Sequence, residues 1–151
     1  MKTLTQEWLK AAHDDLETIE QIVQQEHLTN VAAFHAQQAV EKCLKALLEE
    51  QGVEFPKTHD LLRLQKLLLS DAIQLDINQA MLRRLNLLYI DSRYPGEFGL
   101  LPNGKPTLAD AREFYQFAQG IYTTVCARLK DSEEDQLPHL TDENDAIREA
   151  E

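Results

Sequence analysis

Residues 33–46 read AFHAQQAVEKCLKA, which combines lines of apolar residues with a stripe of polar ones. Apolar and small residues recur here at spacings of three and four, the repeat of a helical face. One line comprises Ala36, Val40, Leu44 and Leu47, and the other comprises Ala32, Ala39, Cys43 and Ala46. We predict a helix from Thr29 or Asn30 to Gln51, stopped by Gly52. Its small residues allow another helix to approach closely.

Further helices are predicted on both sides of this segment. The first runs from about Leu4 to Gln25, and Thr3 or Thr5 can cap its start. A short link containing Pro56 follows the central helix, because proline cannot continue a helix. Thr58 then provides a cap for a third helix.

The C-terminal half predicts two more helices. One spans about Ile77 or Asn78 to Ser92, and the motif Thr107-x-x-Asp110 opens the last one like a capping box. We find no alternation typical of strands. The predicted fold is therefore all-α, an up-and-down antiparallel bundle of about five helices.

Charge is distributed unevenly over the 151 residues. The net charge is −11, and residues 132–151 contain eight acids against Arg148. We therefore predict a helical bundle over residues 1–131 and a disordered acidic tail over residues 132–151. The acidic balance excludes general nucleic-acid binding, which needs clustered Lys and Arg. Any contact with nucleotide or RNA requires a local basic patch.

Several other classes are also disfavoured by the sequence. It has no apolar run of membrane-spanning length and no signal-peptide pattern, so we expect a cytoplasmic protein without a membrane partner. Cys43 and Cys126 form no CxxC pair and are expected to be packed thiols. The histidines lack HExxH spacing, so no metal site and no cofactor are predicted.

Four polar residues of the central helix fall on one stripe and are candidates for ligand binding. His35, Gln38, Lys42 and Lys45 are placed at i, i+3, i+7 and i+10. His35 and Gln38 lie between small apolar residues and would need polar partners if partly buried. The alternative interpretation is a solvated helix face.

Two other segments contain candidate anion-binding groups. Tyr89 and Arg93 share a stripe on the fourth helix, and a guanidinium can bind phosphate through two hydrogen bonds. Lys57 and His59 lie at the predicted start of the third helix, beside N–H groups expected to be free for an anion. The alternative for Arg93 is a cation at the C-terminus of its helix that only interacts with the helix dipole. The alternative for Lys57 and His59 is a helix start that is simply capped.

Three blocks of sequence together resemble the HEPN domain family. They are residues 33–46, then KTHDL at residues 57–61, then YIDSRYP at residues 89–95, and WLKAAHDDL at residues 8–16 is similar too. The resemblance covers about residues 4–130. It implies a helical bundle that forms homodimers with a cleft near the subunit junction. It also implies a minimal nucleotidyltransferase as partner, often in a toxin–antitoxin pair.

Many HEPN proteins are metal-independent ribonucleases, whose signature is an Arg followed after four to six residues by a His. No Arg of this chain has such a His, and the positions after Arg93 read Phe98-Gly99-Leu100. The sequence therefore favours a binding module over an enzyme and assigns no catalytic residue. It is closer to the branch described as a nucleotidyltransferase substrate-binding subunit.

The resulting hypothesis is a dimeric, non-catalytic HEPN module that binds a nucleotide or another phosphate-bearing ligand. Its ligand-binding residues would be His35, Gln38, Lys42, Lys45, Lys57, His59, Tyr89 and Arg93. One alternative is a metal-independent ribonuclease toxin in which His35 or His59 replaces the missing base; RNA is thus possible but not favoured. The other is a structural adaptor for a nucleotidyltransferase.

Overall fold

The computed structural model describes residues 1–93 and 105–136, apart from the side chains of residues 90–93 and 136. All regular structure in these ranges is helical, which confirms the predicted all-α bundle. The helices are α1 (Thr3–Ile22), α2 (Thr29–Glu50), α3 (Leu61–Ser70), α4 (Gln79–Arg93) and α5 (Leu108–Gln136). A short 3-10 turn, Glu26–Leu28, joins α1 to α2.

Helix α2 is the centre of the bundle. It packs mainly against α1 and α5, and also contacts α3 and α4. Its small residues are fully buried, as the two predicted lines require: Ala32, Ala36, Ala39, Cys43 and Ala46. Such residues let the neighbouring helices approach α2, and burial of the larger side chains beside them drives the packing. The buried residues of α2 also include polar ones, Gln37, Glu41 and Lys45.

Two predicted N-terminal caps are wrong. The position before α1 is Lys2, whose side chain makes no capping hydrogen bond, and Thr5 is completely buried inside the helix. Helix α3 begins at Leu61, three residues after the predicted cap Thr58. Asp60 caps it instead and accepts from the N–H groups of the first turn.

Two other predicted helix boundaries are confirmed. Gly52 follows α2 with a φ of +69°, the left-handed conformation that glycine adopts without a steric penalty. At the start of α5, the N–H of Asp110 donates to Oγ1 of Thr107 at 3.0 Å. In return, the N–H of Thr107 donates to Oδ2 of Asp110 at 2.9 Å. These reciprocal bonds form the capping box.

Helix α5 extends past the boundary predicted at residue 131, because residues 132–136 continue it. The rest of the predicted acidic tail, residues 137–151, lies outside the described residues, as does the segment 94–104. Within the described part of the chain, every helix is too short or too polar to cross a lipid bilayer.

Candidate functional site

Asp15 of α1 accepts two hydrogen bonds from side chains of α2. Its Oδ1 lies 2.9 Å from Nδ1 of His35, and its Oδ2 accepts from Nζ of Lys42 at 2.6 Å. The side chain is largely buried because residue 15 lies beside the apolar stripe of α1. An ammonium group and an imidazole therefore bind opposite oxygens of one carboxylate. We call Asp15, His35 and Lys42 the Asp15 triad.

A second triad with the same composition is centred on Glu41 of α2. Its Oε1 lies 2.8 Å from Nδ1 of His59, in the link between α2 and α3, and its Oε2 accepts from Nζ of Lys45 at 3.2 Å. The ammonium group of Lys45 also lies 5.3 Å from the centre of the Trp8 ring, a cation–π contact. We call Glu41, Lys45 and His59 the Glu41 triad.

Gln37 attaches the link between α2 and α3 to the buried side of α2. Its Nε2 donates to the backbone carbonyl of His59 at 3.0 Å and to Oε1 of Glu41 at 3.4 Å. Its Oε1 accepts from Nε2 of Gln38 at 2.7 Å. His59 is thus held at its backbone by Gln37 and at its ring by Glu41.

Four rings in contact connect the two triads. The ring of Phe34 lies 5.4 Å from that of His35, measured between centres, and stacks on Tyr89 of α4 at 5.8 Å. Tyr89 in turn lies 5.0 Å from the ring of His59. The two imidazoles therefore lie at the ends of one aromatic row, which fixes α4 against α2 beside the polar groups.

The N-terminus of α3 is fixed by Asn86 of α4. Its Nδ2 donates to Oδ1 of Asp60 at 3.1 Å, and its Oδ1 accepts from the N–H of Leu61 at 2.9 Å. Asp60 also accepts from the N–H groups of Leu62 and Arg63. The expectation that these N–H groups are free for an anion is therefore wrong. The helix end instead positions the segment that contains His59.

Exposure to solvent rises from the carboxylates to the imidazoles. The side chains of Glu41, Lys45 and Asp15 are 4%, 8% and 10% exposed, whereas those of Lys42, His35 and His59 are 21%, 25% and 49% exposed. The formal charges of the two acids and the two lysines cancel. A ligand that approaches from solvent therefore meets chiefly the imidazoles, with the carboxylates behind them.

The structure brings together most of the predicted ligand-binding residues. Four of them belong to the triads, Gln38 bonds to Gln37, and Tyr89 is in the aromatic row. Lys57 is exposed in the link, two residues before His59. Arg93 is the last residue of α4, one turn after Tyr89, and its side chain lies outside the described residues.

The sequence interpretation missed the two carboxylates and Gln37. Asp15 had a detectable signal, because it lies three residues after Ala12 and four before Ile19, on the buried face of α1. Gln37, Glu41 and Lys45 are spaced by four, which places them on one helical face. An acid on an apolar face requires a partner, so both carboxylates could have been predicted to bind the neighbouring cations.

Other reactive side chains lie apart from the triads. His13, Asp14 and Glu17 on α1 bring potential metal-ligand atoms within 4.8 Å of one another, but all three residues are exposed. Cys43 is completely buried, and this burial raises the pKa of its thiol far above the ordinary value. A thiol of this kind is inert, in keeping with the packed role expected for it.

Comparisons with known proteins agree with this architecture. The profile described as the HEPN domain matches residues 5–131. The crystal structure of ST0689, an archaeal HEPN homologue, is 26% identical with a TM-score of 0.58, over 85% of this chain and 98% of that one. The crystal structure of TT1696 from Thermus thermophilus is 27% identical with a TM-score of 0.61, over 82% and 97%. No curated protein matches the chain.

Proposed function

The chain belongs to the HEPN domain family, and from this premise we propose that it is a non-catalytic module that binds a nucleotide or another phosphate-bearing ligand at the two triads. The observation that carries the proposal is the repeated arrangement of ammonium, carboxylate and imidazole, with the imidazoles facing solvent. Aromatic rings lie beside these groups, and nucleotide sites commonly combine rings with a few placed polar groups.

The two triads place six ionisable groups together, and the stability of the fold does not by itself require them. Partial burial of charges costs free energy, and apolar residues of similar volume often stabilise a protein equally well or better. The surrounding residues of α2 are small and apolar, so an apolar replacement would fit the local pattern. Departures from that pattern are expected at functional sites.

Phosphate binding needs positive charge beyond the two lysines, because Asp15 and Glu41 neutralise them. Lys57 would add a cation beside His59, and Arg93 would add a guanidinium one turn after Tyr89 in α4. The ligand is therefore expected to bind on the outer side of the triads.

The proposal extends to assembly. We expect a homodimer and a minimal nucleotidyltransferase as partner, encoded together as a toxin–antitoxin-like pair, as the family membership suggests. Leu87 on α4 is 64% exposed and offers apolar surface for such contacts. Light scattering measures the first expectation, and co-purification with a co-expressed nucleotidyltransferase measures the second.

Isothermal titration calorimetry tests the binding function. AMP, ATP and GTP are each titrated into protein at about 0.1 mM, a concentration that reveals weak sites. Binding should be weakened in Lys42→Met and His59→Ala but kept in the control Lys66→Met, which changes an exposed lysine of α3. Absence of heat with every nucleotide, or equal binding by all variants, contradicts the proposal.

One observation favours a second candidate function, a metal-independent ribonuclease. Each imidazole is bonded through Nδ1 to a carboxylate, the arrangement that orients histidines acting as general bases. His35 or His59 would then replace the base that the family motif supplies, opposite Arg93. Incubation with RNA in EDTA decides this. Cleavage that is lost in Arg93→Ala supports the enzyme, and intact RNA excludes it.

A further inference from the structure

We infer that Asp15 and Glu41 are positioning residues that make both imidazoles present Nε2 as a hydrogen-bond acceptor, so that the ligand donates to one of them through a ribose hydroxyl. This inference rests on the proposed function, because it specifies which part of a nucleotide contacts the triads. It assigns the preferred ligand to the ribonucleotides rather than the 2′-deoxyribonucleotides.

The carboxylates determine which ring nitrogen carries the proton. An ionised carboxylate only accepts hydrogen bonds, so the imidazole nitrogen that faces it must donate. In both triads that nitrogen is Nδ1, at 2.9 Å from Asp15 and 2.8 Å from Glu41. A neutral imidazole has one N–H group, and its other nitrogen then has a free lone pair. Nε2 of His35 and of His59 is therefore the acceptor.

A lysine binds one oxygen of each carboxylate. The Lys42 ammonium occupies Oδ2 of Asp15, and the Lys45 ammonium occupies Oε2 of Glu41. The remaining oxygen of each carboxylate faces an imidazole. The two lysines thus fix the direction in which each carboxylate points, as the outer partners of metal-binding or catalytic histidines do.

Within the described part of the chain, both acceptor nitrogens are open to a ligand. Among the side chains that the structure describes, Nε2 of His35 and of His59 has no hydrogen-bond partner. The imidazoles are also more exposed than the carboxylates that fix them. Within a nucleotide the ionised phosphate offers only acceptors, and the donors are the ribose hydroxyls and the N–H groups of the base; we assign the contact to the ribose. The 2′-hydroxyl is the group that separates ribonucleotides from deoxyribonucleotides.

Nitrogen-15 NMR of the histidine rings tests the assignment without any ligand. At neutral pH, His35 and His59 should show the tautomer with the proton on Nδ1. Glu41→Gln should shift His59 toward the Nε2-protonated form, because an amide can donate as well as accept. Asp15→Asn should do the same for His35, which keeps the test valid if one variant does not fold. Glu113→Gln, a change on the exposed surface of α5, should alter neither ring.

Calorimetry with AMP and 2′-deoxy-AMP tests the ribose contact. One hydrogen bond corresponds to a roughly three- to tenfold tighter Kd for AMP, and this preference should disappear in Glu41→Gln or Asp15→Asn. Equal affinities in the unmodified protein overturn the ribose contact while leaving the proposed function intact. If neither AMP nor 2′-deoxy-AMP binds, the ribose contact is overturned, and the proposed function is overturned with it only if ATP and GTP also give no heat. Nε2-protonated rings in the unmodified protein overturn the positioning role.

Discussion

The rings of Phe34 and Tyr89 stack with their planes inclined by 17° and their centres 5.8 Å apart. This contact joins α2 to α4 and places both rings between His35 and His59. The stack therefore belongs to the packing of the bundle and to the candidate site at once. A change at Phe34 is expected to affect both.

We expect Phe34→Ala to lower the free energy of unfolding by about 2 kcal/mol, since the half-buried ring loses its aromatic and apolar contacts. Urea unfolding followed by circular dichroism measures this loss. The matched control is Leu69→Ala on α3; Leu69 is 54% exposed, and its loss should change the free energy of unfolding by less than about 0.5 kcal/mol. Equal losses in the two variants would show that the stack does not stabilise the bundle.

The two described glycines should respond oppositely to alanine. Gly52 has a φ of +69°, so Gly52→Ala should destabilise the protein by about 1 kcal/mol. Gly120 is in the interior of α5, and a Cβ atom there would meet nothing within 4 Å. Gly120→Ala should therefore stabilise the protein by up to about 1 kcal/mol, because alanine favours the helix. Thermal unfolding of both variants measures the signs, and two changes of the same sign would contradict this prediction.

The capping box of α5 should make stability depend on pH. The N–H of Thr107, which donates to the Asp110 carboxylate, holds the pKa of Asp110 below its ordinary value. Because the folded-state pKa is lowered, this contribution is present above the ordinary carboxyl pKa of about 3.9 and is lost as pH falls through the lowered value. Asp110→Asn should therefore cost about 1 kcal/mol at about pH 7 and clearly less at about pH 2.

Thermal unfolding at these two pH values measures that difference. The control is Asp131→Asn, which changes an exposed acid of the same helix outside the capping box. Its effect should be within about 0.5 kcal/mol at both pH values. A cost for Asp110→Asn that is the same at both pH values would mean that the ionised carboxylate is not the stabilising group.

The helices were predictable because apolar periodicity reports burial directly. The spans of α2 and α4 differ from prediction by at most two residues at each end, and the capping box of α5 needs only residues close in sequence. The cap of α3 was not predictable in this way. Thr58 and Asp60 are both good capping residues, and the choice of Asp60 coincides with a hydrogen bond that it accepts from Asn86, 26 residues further along the chain.

The candidate site was predictable only in part, because spacing in the sequence shows which residues share a helical face but not which helices pack together. The stripe of His35, Gln38 and Lys42 follows from helical geometry alone. The position of the negatively charged partner does not follow from helical geometry, because Asp15 belongs to another helix and its contacts depend on how α1 packs against α2. From the sequence, any contact with a nucleotide was expected to require a local basic patch. The two buried acids instead neutralise the lysines and leave the imidazoles as the groups nearest to solvent.

A double-mutant cycle on Asp15 and Lys42 should separate stability from function. Asp15→Leu alone leaves the Lys42 ammonium and the His35 ring without their acceptor, and we expect a loss of about 2 kcal/mol in the free energy of unfolding. Lys42→Met in the same chain removes the unpaired charge and adds an apolar side chain. The double variant should recover most of that loss, because apolar residues commonly replace a partly buried ion pair without cost.

Urea unfolding of the two single variants and the double variant measures this recovery, and AMP titration of the double variant measures binding. We expect recovered stability together with lost affinity, because the ammonium of Lys42 and the acceptor that orients His35 are both gone. The control pair is Arg84→Met with Glu113→Leu, which removes an exposed ion pair between α4 and α5 and should leave AMP binding unchanged. If the double variant at Asp15 and Lys42 stays as unstable as Asp15→Leu, the triad is required for folding and its polarity needs no ligand to explain it.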